Sequence, residues 1–126
     1  MAWTVDARIP LTLVENEAAL AAALAAGPKA AVLAEAPARP ARTLSAPGAM
    51  ALEGFDASPP HALACACCNG RPPAATALDR LFLARVRGQC PWFDRVLALA
   101  TSEAAQAQLA AALASDAVTV ARFRRA

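Results

Sequence analysis

Short apolar runs alternate with alanine- and leucine-rich stretches along this chain, and the junctions carry residues that start or stop helices. Ile9-Pro10-Leu11-Thr12-Leu13-Val14 is a compact apolar run rich in strand formers. Glu15-Asn16-Glu17 then opens an alanine/leucine stretch that ends at Gly27-Pro28. Asn16 fits an N-cap, Glu17 suits the positive start of a helix, and Gly27 followed by Pro28 is a helix stop. A second apolar run, Ala30 to Ala34, follows almost at once. Strand, helix, strand with short connections predicts a right-handed parallel unit.

From Glu35 to His61 the prolines at 37, 40, 47, 59 and 60, with Gly48 and Gly54, break any long periodicity, so this stretch reads mostly as loop. Met50 to Leu52 is the one candidate edge strand within it. Pro72-Pro73 leads into a helical pattern that sets Leu78, Leu81, Phe82 and Val86 on one face before Gly88. Phe93 to Ala100 reads as a buried strand, and Ser102-Glu103 opens a further helix bearing Leu109 and Leu113. Ala117 to Ala121 has strand-like valines but follows a helix closely, so helix and strand both stay open. The tail Arg122-Phe123-Arg124-Arg125 reads first as a solvated helix end, and only second as a contact for phosphate or an acidic partner.

Composition narrows the picture. The 126 residues fit one domain, 1–126. Hydrophobic residues make up 58%, but about three in ten positions are alanine, which buries little area and favours helix. A thin core is therefore expected, anchored by Trp3, Phe55, Phe82, Trp92, Phe93 and Phe123, with burial the first reading for each. Net charge is +2, too small to imply a nucleic-acid or membrane surface. No apolar run approaches the ~20 residues of a membrane span, and Met1-Ala2-Trp3 does not begin a signal peptide. The expected compartment is the cytoplasm, where thiols stay reduced.

That compartment matters because three of the four cysteines fall in one run, Cys65-Ala66-Cys67-Cys68. Thiolates bind borderline metals firmly, and three of them fill three corners of a tetrahedral zinc site. His61 is the leading fourth ligand, weighed against a solvent-facing loop histidine; Cys90 is an alternative ligand, weighed against simple core packing. The bland reading of the run is three unliganded, partly buried thiols. A redox role for the vicinal Cys67-Cys68 pair is a further alternative, disfavoured because adjacent cysteines form strained disulfides. A Ser/His/Asp machine is not expected: His61 is the only histidine, and no nucleophile motif surrounds Ser45, Ser58, Ser102 or Ser115.

The sequence resembles the CobW-like metallochaperone GTPases. That family carries a Gly-Cys-x-Cys-Cys run, then a helix, then a strand beginning Phe-Asp-x-Val; here stand Ala64-Cys65-Ala66-Cys67-Cys68, a helix ending Ala84-Arg85-Val86-Arg87, and Phe93-Asp94-Arg95-Val96. Ala121-Arg122-Phe123-Arg124 looks like the segment closing the corresponding family helix. Arg8 to Val14 and Ala31 to Glu35 look like the family's first two strands. The resemblance implies an α/β fold, a small three-layer parallel sheet of about 3–4 strands with flanking helices, like a cut-down P-loop NTPase domain. It also implies a metal loop at Cys65, Cys67 and Cys68.

The departures remove the nucleotide chemistry. Where the resemblance calls for Gly-x-x-x-x-Gly-Lys-Thr, the chain has Asn16-Glu17-Ala18-Ala19-Leu20-Ala21-Ala22-Ala23. No glycine is left to wrap phosphate, no lysine to offset its charge, no hydroxyl to hold magnesium, and Glu15 and Glu17 repel phosphate. Leu99-Ala100-Thr101-Ser102 replaces the acidic residue and switch glycine expected after the buried strand, and no Asn-Lys-x-Asp segment occurs. The expectation is a non-catalytic domain without nucleotide that binds a metal, with zinc first, through Cys65, Cys67, Cys68 and His61, or binds a protein partner or a second copy. The alternatives are a structural or adaptor subunit with vestigial cysteines, and a thiol redox protein.

Overall fold

The computed structural model describes residues 7–35, 48–56 and 72–126. They form an α/β structure around a five-stranded, all-parallel sheet: β1 (Ile9–Val14), α1 (Glu17–Ala25), β2 (Ala30–Glu35), β3 (Leu52–Phe55), α2 (Pro73–Val86), β4 (Arg95–Leu99), α3 (Glu103–Ser115), α4 (Ala117–Arg122) and β5 (Phe123–Arg125). The strand order is β3-β2-β4-β1-β5. β4 runs between β2 and β1, with Val96 opposite both Ala31 and Leu11.

Strand alternation divides the core into two layers. Val14, Ala30, Val32, Ala34, Leu97 and Leu99 face α1 and its Leu20. Ile9, Leu11, Ala31, Leu33, Val96 and Ala98 face the other way, onto Leu78 and Leu81 of α2 and Leu109 of α3. The sheet is thus covered on both sides, which suits central strands that read as nearly continuous apolar runs. Alanine shapes the second layer: Ala74, Ala75 and Ala77 of α2 are wholly buried, so small side chains let the helix settle closely on its neighbours.

Local chemistry sets the helix ends. The Asn16 side chain accepts from the Ala19 N–H at 2.7 Å, and Ser102 does the same for Ala105 at 3.1 Å. At the other end of α1, Arg95 from β4 donates to the carbonyls of Ala23 (2.7 Å), Ala26 (2.6 Å) and Pro28 (2.9 Å), supplying donors where the helix runs out of them. The chain passes this guanidinium through Gly27 at φ +85°.

Three sequence expectations are corrected. The tail is no free helix end: α4 stops at Arg122, and Phe123–Arg125 pairs in parallel with Ile9–Leu11 as a fifth strand. Buried Phe123, stacked edge-to-face on Phe82 at 6.4 Å, anchors that strand. The edge strand after the loop lies at Leu52–Phe55, slightly beyond Met50 to Leu52, although Met50 and Ala51 already bond to β2 through Ala30 and Val32. Val86 and Trp92 are exposed, at 53% and 54%: Val86 is the last residue of α2, and Trp92 lies in the turn that joins α2 to β4. Trp3 lies outside the described residues.

Candidate functional site

Open parallel sheets place ligands at the carboxyl ends of the strands, where neighbouring strands send their connections to opposite faces. Here that point lies between β1 and β4: β1 leads into α1 on one face, β4 into α3 on the other. The two strands stay joined to their ends, with the Ala100 N–H donating to the Val14 carbonyl at 3.3 Å.

Groups of the chain itself occupy the helix starts on either side of this crevice. Only Glu15 and Asn16 separate β1 from α1, and the Asn16 carboxamide occupies the helix start. At the start of α3 stands the carboxylate of Glu35, the last residue of β2. Its Oε1 accepts from the Thr101 N–H (2.9 Å), the Thr101 hydroxyl (3.2 Å) and the Ser102 N–H (3.0 Å), and its Oε2 from the Ser102 hydroxyl (2.6 Å). Partial burial pushes this carboxyl's pKa up, but the bonds from Ser102 and Thr101 together outweigh it and hold the group below its ordinary value. Glu35 therefore provides the negative charge that a helix amino terminus favours.

The same edge is acidic. Glu15, Glu17, Glu35, Asp56 and Glu103 lie at or just beyond the carboxyl ends of β1, β2, β3 and β4, while the short β5 ends on Arg125. Phosphate is disfavoured there and a cation favoured.

Cys65, Cys67, Cys68 and His61, the candidate metal ligands, lie outside the described residues, in the segment 57–71. The residues on either side of it are described, and one side chain joins them. The Gln108 carboxamide of α3 donates to the Asp56 carbonyl, just after β3, and accepts from the Ala74 N–H in the first turn of α2, both at 3.2 Å. It replaces the cap that Pro72 cannot supply from a side chain. Asp56 and the start of α2 therefore lie together at the acidic edge. Cys90 is half-buried beyond the opposite end of α2, a 14-residue helix about 21 Å long. Among the described residues no three His, Cys, Asp or Glu side chains form a metal-ligand group, and no helix is long and apolar enough to cross a membrane.

Glu35, Gln108 and Arg95 are the residues whose tasks sequence reasoning missed. A charge closing an apolar strand marks Glu35, and an arginine leading into buried β4 marks Arg95; Gln108 carries no signal, since its partners lie 34 and 52 positions away. No protein-family model, curated protein or solved structure matches the chain.

Proposed function

We propose that this protein is a non-catalytic, nucleotide-free relative of the CobW-like metallochaperone domain that binds a metal ion, zinc before others, through Cys65, Cys67 and Cys68 with His61 completing the set. The observation that carries the nucleotide-free part is the two-residue β1–α1 connection, closed by Asn16 and flanked by Glu15 and Glu17. A phosphate loop needs glycines whose N–H groups wrap the anion; this connection has neither the length nor the residues.

The metal part rests on the donor set and on where its segment is rooted. Three thiols and an imidazole match the ligand preferences of zinc, and the acidic edge from which the segment springs favours cations. Cys90, at the far end of α2, is outside the proposed set. Elemental analysis of protein purified from zinc-replete cells tests the reading. About one zinc per chain is expected, lost in Cys67→Ser and retained in Cys90→Ser; metal-free wild-type protein overturns it.

A second reading, an adaptor subunit, is favoured by the exposure of Val86 and Trp92. Size-exclusion chromatography of the isolated chain separates the two: a stable zinc-bound monomer argues against an obligate adaptor, and aggregation without a partner supports one.

A further inference from the structure

The edge of the sheet opposite Glu35 and Asp56 has a different character. Between α2 and β4 the chain turns through Arg87-Gly88-Gln89-Cys90-Pro91-Trp92-Phe93-Asp94. Phe93 is buried and ties the turn to the core, while Val86 and Trp92 stand more than half exposed and Pro91 is exposed between them. Trp92 is nevertheless held: the Arg85 guanidinium lies 3.6 Å from its ring centroid and 5.4 Å from that of Phe93. Stacking fixes a large amphipathic side chain in a presented orientation, which lowers the ordering cost of using it as a contact.

The surroundings are basic. Arg87 is exposed, and exposed Lys29 is brought alongside where the Asp94 N–H donates to the Lys29 carbonyl at 2.8 Å. Asp94 is the one described acidic residue in the turn. The Nε of Arg85 is enclosed without an acceptor, and burial lowers the pKa of its guanidinium, with Asp94 and Cys90 acting in the opposite direction. Tryptophan and arginine are the residue types that most often dominate binding energy at protein interfaces.

We propose that the α2–β4 turn is a docking surface for an acidic segment of a partner protein, in which carboxylates meet Arg87, Lys29 and Arg85 while an adjacent apolar side chain packs on Trp92 and Val86. The charge decides the occupant. A second copy meeting this patch about a two-fold axis would set Arg87 and Lys29 near their own equivalents, which repel. Nucleic acid is disfavoured by a net charge of only +2 and by Asp94 within the patch. The surface is independent of the metal reading, since none of the residues that form it belongs to the proposed ligand set.

Selection from a random peptide display library against the whole chain tests this. Enriched peptides are expected to carry Asp or Glu beside Leu, Ile or Phe. A selected peptide should perturb Trp92 fluorescence in a Trp3→Phe background, weaken with added salt, and bind about tenfold or more weakly to Trp92→Ala and to Arg87→Glu. Both substitutions are at exposed positions, so circular dichroism should be unchanged. No enrichment, a basic or neutral consensus, undiminished binding to both variants, tighter binding of an oligouridine probe, or self-association abolished by Trp92→Ala would each overturn the proposal.

Discussion

The Glu35 carboxylate accepts a 2.6 Å hydrogen bond from the Ser102 hydroxyl, while the oxygen of that hydroxyl in turn accepts from the Ala105 N–H that opens α3. β2, β4 and the start of α3 are thereby locked beside the point between β4 and β1 where an open parallel sheet ordinarily admits a ligand. Removing the charge with Glu35→Gln should cost about 1–2 kcal/mol, a partly solvated version of a charge-assisted network. For a chain of this size that lowers Tm by roughly 3–8 °C, readable by differential scanning calorimetry.

The same contact has a pH signature. The folded Glu35 pKa lies below its ordinary 4.5, so the group's contribution is present above that value and lost as pH falls through the folded pKa. Wild-type stability should therefore fall more steeply below about pH 4.5 than that of Glu35→Gln, and the gap between their denaturation midpoints should narrow with acidification. A constant gap down to pH 3 would show that the network contributes no linkage.

Arg95 and Gly27 form a second lock at the opposite edge. Arg95→Ala withdraws donors from three carbonyls at the end of α1 and should cost about 2–3 kcal/mol. Gly27→Ala combines a left-handed backbone with a Cβ 3.3 Å from Arg95 Nη2, so about 1–2 kcal/mol is expected. In the double variant the steric part vanishes, and the two losses should sum to less than their separate values. Urea denaturation of the four proteins checks this.

Gln108 offers a graded test. Gln108→Leu removes both the donor to Asp56 and the acceptor for Ala74, while Gln108→Glu keeps the acceptor at the helix start but turns a second oxygen toward the Asp56 carbonyl. Hydrogen exchange at the Ala74 amide should accelerate about tenfold or more in the leucine variant and less in the glutamate variant. Equal rates in all three proteins would mean that α2 starts without this cap.

Two aromatics that look alike in the sequence should behave differently. Phe123→Ala empties a fully buried site against Phe82 and should cost about 3–5 kcal/mol. Trp92→Ala should cost less than about 1 kcal/mol, because half of that side chain already lies in water.

The parallel sheet was legible because its central strands are short, apolar and separated by well-punctuated helices. Asn16, Gly27 and Ser102 mark their boundaries where the structure has them. β5 was not legible: three residues, two of them arginine, look like a solvated tail until buried Phe123 is seen opposite Ile9. Val86 has the helical spacing of a core residue, yet it is the last residue of α2 and stands exposed. At the candidate site, the lack of phosphate-loop residues between β1 and α1 could be read from Glu15 to Ala23. That a carboxylate from β2 would occupy the start of α3 could not, because the partners are brought together only by the order of the strands.

Because Asp56 and Ala74 meet at one carboxamide, the exit of β3 and the entry of α2 share a single clasp on α3. Two points 18 positions apart in the chain are thereby set side by side, and the cost of closing the chain between them grows only slowly with its length. Gln108 is thus a hinge pin between sheet and helix, a task that one side chain performs from a third element.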